Sequence, residues 1–192
     1  MIFQAVASNA DLLRKDGHLV FTPTLTGFGE RVHLTRPDLT LEDFATDLVN
    51  VITAEELSDI IMVGHSFGGN PVSVVADRVP ELLKQLVYLD TLLLKNGESG
   101  FSQLDSAIVA QRIELAEKTS GGLTIPPPSP EVFGVVDPAD ASRFRMVKAT
   151  IDSATAQLLS GADPAGTSSG KWPQQDLHCL HEPGLPTGPS NT

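Results

Sequence analysis

One serine of this sequence has the neighbours that nucleophilic chemistry requires. It lies in a G-x-S-x-G pattern made of Gly64, His65, Ser66, Phe67 and Gly68. This pattern is typical of a sharp turn from a strand into a helix, where the serine takes a strained conformation and its neighbours approach without side chains. Such a turn exposes the Ser66 hydroxyl above the carboxyl end of a sheet. The N–H of Phe67 would then lie at a helix start, where an unpaired donor can hold an oxyanion.

The flanking sequence supplies the two elements that this turn needs. Asp59 to Gly64 is a nearly continuous apolar run, which predicts a strand buried on both faces. Pro71 to Arg78 is small and apolar and then polar, which predicts a helix that closes before Pro80. Leu83 to Asp90 predicts the next buried strand. The alternative interpretation of the pattern is a glycine turn in some other α/β fold.

Elements before the serine complete the pattern of a parallel sheet. His18 to Phe21 is a short apolar run between Gly17 and a turn, which predicts another buried strand. Leu41 to Ala54 keeps a helical period of apolar residues, with Thr40 as its cap and acidic residues in its first turn. This alternation of strands and helices predicts the α/β class.

Four segments of the chain have an order and spacing that resemble a known family. They are Gly17 to Leu34, Leu57 to Gly69, Ala76 to Pro80 and Leu86 to Asp90. They resemble a bacterial esterase branch of the α/β-hydrolase superfamily, related to the plant hydroxynitrile lyases and the methyl-salicylate-type esterases. The resemblance implies a partial α/β-hydrolase fold and hydrolysis of an ester or related acyl bond through Ser66, with no metal and no organic cofactor.

A nucleophilic serine needs a histidine base, and the base needs a carboxylate that orients it. The superfamily order of serine, acid and histidine makes Asp90 the candidate acid, at the carboxyl end of its strand. The alternative is that Asp90 caps the turn into the next segment. The resemblance places the base in a Gly-His segment near the chain end, and we expect His65 to shape the pocket instead. None of the histidines fits the position of the base: His18, His33, His65, His178 and His181.

The sequence predicts one folded domain and a tail. Residues 1–160 predict an incomplete α/β-hydrolase domain, in which about 92–160 form a helical cap insertion. Helical patterns in this insertion run from about Phe101 to Lys118 and from about Pro138 to Leu159. Residues 161–192 are rich in proline and glycine and predict a disordered tail.

Both ends of the chain depart from the family pattern. The usual first strand, with the His-Gly that completes the oxyanion hole, is missing before Gly17. Near the other end, codons can be chosen for Gln175 to Pro186 whose nucleotides also encode a second peptide when they are read one base later. That second peptide has the β-branched and aromatic content of a strand. We therefore expect a chain that is truncated or frame-shifted at both ends, with an ordinary disordered tail as the alternative.

Charge and composition narrow the classes of partner. The 192 residues include 13 Lys and Arg against 24 Asp and Glu, which gives a net charge of −11 at pH 7. A surface this acidic repels nucleic acids and anionic membranes. The single cysteine, Cys179, fits a reducing compartment, and no signal peptide or membrane-spanning run is visible. We therefore expect a cytoplasmic globular protein that acts on a small molecule.

These observations predict a serine esterase for a small hydrophobic ester and leave two alternatives. One is a catalytically inactive remnant or ligand-binding relative that keeps the turn and lacks the base. The other is a carbon–carbon lyase like the plant relatives, which would need a base and a pocket lysine that the sequence does not identify. Loss of a neighbouring strand would make Leu83 to Asp90 an exposed edge, so self-association is expected as well.

Overall fold

The candidate serine lies at one end of a parallel β-sheet. The computed structural model describes residues 10–91, 93–94, 98–126, 129–139 and 177–180. Within these residues the sheet has the order β1-β2-β3, with strands β1 (Ile60–His65), β2 (Leu83–Leu89) and β3 (Leu177–Leu180). Both pairings are parallel, with Val63 opposite Val87 and Val87 opposite His178. The carboxyl ends of the strands therefore share one edge, where the ligands of open α/β sheets bind.

Helices α1 (Leu41–Ala54) and α2 (Gly69–Arg78) pack on one face of the sheet. The predicted start of α1 is confirmed, because Thr40 and Asp43 form a capping box. The Thr40 hydroxyl accepts the Asp43 N–H, and the Asp43 carboxylate accepts the Thr40 N–H at 2.8 Å. Two backbone donors at the helix start are thus satisfied by side chains.

The core lies between these helices and the sheet. Leu86 and Tyr88 of β2 are 1% and 4% exposed, and they pack with Val72 and Ala76 of α2. On the same side of the sheet, Met62 of β1 contacts this cluster and the one that α1 forms with α2. These contacts hold the strand before Ser66 and the helix after it in a fixed relation.

The segment after β2 is helical, as predicted, but it is divided. A 3₁₀ helix at Gly100–Gln103 precedes α3 (Ser106–Ser120), whereas the sequence predicted one helix from Phe101 to Lys118. The division falls at Asp105, because its carboxylate accepts the Ala107 N–H at 2.8 Å and caps α3. Of the second predicted helix, from 138 to 159, the first two residues are described and are helical, and the rest lies outside the described residues.

Two predictions of buried strands are wrong. The run from His18 to Phe21 forms no strand, because no described residue pairs with it, and Leu19 is 79% exposed. β1 is buried on one face only, since Ile61 and Val63 are 54% and 57% exposed. The helices cover the opposite face, and an apolar run does not reveal which faces of a strand are covered.

The prediction that the strand from Leu83 to Asp90 is an exposed edge is also wrong, since β1 and β3 pair with its two sides. The prediction of a disordered tail needs correction at β3, and the other residues of 161–192 lie outside the described residues. Proline and glycine are frequent in the tail as a whole, but Leu177 to Leu180 contains neither residue and can pair with a neighbouring strand. Self-association stays a prediction.

Candidate active site

The G-x-S-x-G segment forms a sharp turn from β1 into α2. β1 ends at His65, Ser66 has a φ of 52°, and a 3₁₀ turn at Ser66–Gly68 leads directly into the helix. A non-glycine residue in this left-handed region costs about 1–3 kcal/mol and persists only where its surroundings fix it. The turn has the shape expected of a nucleophile elbow, and it leaves Ser66 exposed.

Two glycines let the arms of the turn approach each other. A Cβ atom on Gly64 would lie 2.7 Å from the Gly69 Cα atom, which is far inside van der Waals contact. A Cβ atom on Gly69 would overlap the side chain of Thr91, the second residue after β2. Both positions therefore require glycine for steric reasons, and Gly68 in the same turn is buried as well.

The Phe67 side chain anchors the turn in the core. Its ring stacks on Phe28 with centroids 6.1 Å apart and meets Phe44 of α1 edge-on at 5.8 Å. Phe28 and Phe44 also contact each other, at 5.6 Å. Aromatic contacts of this kind add about 0.5–1.5 kcal/mol per pair to the burial of the rings. They fix the residue whose N–H is the candidate oxyanion donor.

Hydrogen bonds and one ion pair stabilise the loop that carries Phe28, and the Arg31 N–H donates to Phe28 O at 2.8 Å. The Asp47 carboxylate, 12% exposed, accepts the Thr26 N–H at 2.6 Å and lies 3.0 Å from Arg31. Arg31 also donates to Thr24 O at 2.8 Å. Sequence reasoning missed this network, because α1 supplies Asp47 and a distant loop supplies its partners. The signal available in the sequence was the presence of two large apolar residues, Leu25 and Phe28, between predicted elements, and both are buried in the structure.

Asp90 and Thr91 follow β2 directly at the edge that carries Ser66. His65 at the end of β1 is opposite Leu89 at the end of β2. Ser66 is therefore the first residue after β1, and Asp90 is the first residue after β2. Asp90 has a φ of 44° and is exposed. The Thr91 hydroxyl donates to Ser66 O at 2.8 Å and so joins the two strand ends. Sequence reasoning did not identify Thr91.

The histidines are placed as follows. His65 is half-buried at the end of β1, and burial lowers the pKa of its imidazole, while the Asp90 carboxylate acts in the opposite direction. Burial therefore favours the neutral form of His65. His18 and His33 are exposed on the loop and the 3₁₀ helix (Gly29–Leu34) that precede α1. The backbone of His178 pairs with Val87 inside the sheet, and the remaining tail histidine lies outside the described residues.

The described residues thus bring together Ser66, Phe67, His65 and Asp90 at one edge. Of the histidines whose side chains the structure describes, His18, His33 and His65, none makes a hydrogen bond with Ser66 or with Asp90. The residues that the structure describes include no group of three or more histidine, cysteine or acidic side chains that could hold a metal ion. None of their helices is long and apolar enough to cross a membrane.

Similar proteins include several esterases. The chain is 46% identical over 99 residues to a carbendazim hydrolyzing esterase of Nocardioides sp., a match that covers 52% of this chain and 41% of that protein. It is 31% identical over 83 residues to methylesterase 9 of Arabidopsis thaliana, covering 43% and 32% of the two chains. The matched regions therefore span less than half the length of these relatives.

The fold is also similar to a solved structure. An extracellular α/β-hydrolase from a Paenibacillus species, described as sharing structural and functional homology with tobacco salicylic acid binding protein 2, superposes with a TM-score of 0.64 at 29% identity. The match covers 78% of this chain and 63% of that one. The model of the alpha/beta hydrolase family matches residues 3–185. The predicted fold and the resemblance to its esterase branch are confirmed, and the chain belongs to the α/β-hydrolase family.

Proposed function

We propose that the protein is a serine hydrolase of the esterase type. Ser66 is the nucleophile, the Phe67 N–H donates to the oxyanion, and Asp90 is the acid of the triad. The observation that carries this proposal is the left-handed backbone of Ser66, with a φ of 52°, between β1 and α2. A turn of this kind leaves the serine hydroxyl exposed and puts the next N–H at a helix start, where it is free to donate.

The reaction follows the ordinary course of acyl transfer. Ser66 Oγ attacks the carbonyl carbon of the ester, and its proton moves to a base. Negative charge develops on the carbonyl oxygen, where the Phe67 N–H donates to it. The bond to the alcohol then breaks, the alcohol leaves with the proton from the base, and water releases the acid from the serine.

The second candidate is an inactive relative that keeps the turn. It is favoured by one observation: none of the three histidines whose side chains the structure describes, His18, His33 and His65, hydrogen-bonds to Ser66 or Asp90. Without a base, Ser66 would retain the geometry of the turn and the Phe67 donor but would be a weak nucleophile. The two candidates therefore differ in the reactivity of one side chain.

A fluorophosphonate probe separates the two candidates, because it reacts covalently with activated serines. The proposal expects labelling of the folded protein and none of Ser66→Ala. Exposed Ser102→Ala, which changes a hydroxyl outside the turn, is the matched control and should label like the wild type. A folded protein that the probe does not label would favour the inactive relative.

We also propose that the substrate is a small, uncharged ester. The net charge of −11 disfavours anionic substrates by repulsion. The names of the relatives, a carbendazim hydrolyzing esterase and a methylesterase, support an ester of modest size. Methyl benzoate should slow fluorophosphonate labelling of Ser66, while benzoate at the same concentration should not. Equal protection by the two compounds would contradict the proposed substrate class.

A further inference from the structure

We propose that Thr91 is a positioning residue for the oxyanion donor, an inference that rests on the proposed function of the turn. Thr91 follows β2 and has no place in the triad. Its side chain nevertheless touches the turn at two points, the Ser66 carbonyl and the backbone of Gly69. The first contact acts on the peptide group whose N–H belongs to Phe67, and the second acts on the backbone at the start of α2.

The hydroxyl of Thr91 has one proton to donate, and geometry selects its acceptor. Ser66 O lies at 2.8 Å, whereas Gly64 O and Leu89 O lie at 3.3 Å and 3.5 Å. The short contact has the distance of a good O–H···O hydrogen bond, and the other two do not. Ser66 O also accepts the Gly69 N–H, so both of its acceptor sites are used.

The bonded carbonyl and the oxyanion donor belong to one rigid unit. The C=O of Ser66 and the N–H of Phe67 are the two ends of a single peptide group, which is planar and trans. A bond that fixes the carbonyl oxygen therefore fixes the direction in which the N–H points. Hydrogen bonding at the carbonyl also polarises the peptide and strengthens its N–H as a donor.

The same residue stabilises the strained conformation of the turn. Ser66 has a φ of 52°, which needs support from its surroundings. The Thr91 methyl group lies 2.1 Å from the position that a Cβ atom of Gly69 would take, so the side chain fills the gap between the end of β2 and the start of α2. The hydroxyl and the methyl group thus contribute separately, and substitutions can separate them.

Three variants of the full chain test the role of Thr91. Thr91→Val keeps the shape and removes the hydroxyl, while Thr91→Ser keeps the hydroxyl and removes the methyl group. Thr119→Val is the matched control, because Thr119 on α3 also donates to a backbone carbonyl, Leu115 O, at 2.8 Å. Thermal melting establishes that each variant is folded, and Thr91→Ala replaces the valine variant if that one does not fold.

Two measurements read out the effect. The rate of fluorophosphonate labelling at Ser66 should fall about 3- to 10-fold in Thr91→Val, the loss of one ordinary hydrogen bond, and should return in Thr91→Ser. The ¹H–¹⁵N resonance of the Phe67 amide should move in Thr91→Val and return in Thr91→Ser. Thr119→Val should change neither.

The inference is overturned if Thr91→Val keeps the Phe67 resonance, or if Thr91→Ser behaves like Thr91→Val. The second result would mean that restoring the hydroxyl does not restore the donor, so the effect of Thr91→Val does not come from the hydrogen bond to Ser66 O. Failure of the proposed function gives a different result. If the probe does not label the wild-type protein, no labelling rate can be measured, but the resonance of the Phe67 amide can still be compared between the variants. The resonance then decides the role of Thr91 by itself.

Discussion

The hydroxyl groups of Ser73 and Tyr88 lie 2.8 Å apart and join α2 to β2. Ser73 Oγ also donates to Gly69 O at 2.9 Å, so the Tyr88 hydroxyl is the donor of the first bond. Tyr88 is buried, and the chain of two bonds connects the sheet to the first residue of α2. This link supports the helix that begins directly after the candidate nucleophile turn.

Removal of the Tyr88 hydroxyl should destabilise the protein through this link. Tyr88→Phe keeps the ring, so we expect the free energy of unfolding to fall by about 0.5–1.5 kcal/mol, the net value of one hydrogen bond. Urea denaturation measures the change. Combined with Ser73→Ala in a double-mutant cycle, the two substitutions should be non-additive, because they break the same bond. Additive effects would show that the hydroxyls are not coupled.

Neutralising Asp47 should cost more than neutralising an exposed carboxylate. Asp47→Asn weakens a charge-assisted contact with Arg31 and two bonds from Thr26, so we expect a loss of about 1.5–3 kcal/mol in unfolding free energy. Asp11→Asn is the control, since the exposed pair of Asp11 with Arg14 is worth about 0–1 kcal/mol. Equal losses would contradict the role assigned to the Asp47 network.

His65 should make stability depend on pH. Burial lowers its pKa in the folded state, so the unfolded chain binds more protons once the pH falls below the ordinary histidine pKa of about 6.5. The stability that neutral His65 contributes is therefore present above the ordinary histidine pKa of about 6.5. It is lost progressively as the pH falls below that value. We expect the unfolding free energy to drop from pH 7.5 to 5.5, and to drop less in His65→Gln. Identical pH dependence in both proteins would contradict the shift.

Asp90→Asn tests the acid of the triad. Asparagine tolerates the left-handed backbone, so the substitution removes mainly the charge. We expect labelling of Ser66 to slow by about 10-fold or more if Asp90 orients a base. Asp59→Asn is a matched control, because Asp59 also has a positive φ, 53° against 44°, and precedes β1 instead of following β2. Equal rates in the two variants would mean that Asp90 only caps the turn.

The tail histidines should be dispensable. β3 places the backbone of His178 beside Val87, inside the sheet and not beyond its carboxyl edge, and the family position of the base has no counterpart in the sequence. If the second candidate, the inactive relative, is correct, turnover of p-nitrophenyl acetate will be very weak, with no further loss in His178→Ala or His181→Ala. A robust rate that disappears in Ser66→Ala and in one histidine variant would assign the base to that histidine.

The parts of the site that the sequence predicted depend on local signals. The turn at Ser66 follows from nearby glycines, and the start of α1 follows from Thr40 and its acidic neighbours. Thr91 was missed because its acceptor lies 25 residues away, and a threonine after a strand carries no local signal. The exposure of Val63 was missed because it depends on which face of β1 the helices cover, and this face is decided by residues that are distant in the sequence.

Identification of the labelled residue tests the central claim most directly. The folded protein is treated with a fluorophosphonate probe and digested, and mass spectrometry locates the modification. The proposal predicts that the probe lies on Ser66, that Ser66→Ala is unlabelled, and that wild-type protein unfolded in urea is unlabelled, because the turn activates the serine only when folded. A cooperatively folded protein that carries no probe on Ser66 would contradict a reactive serine in this chain.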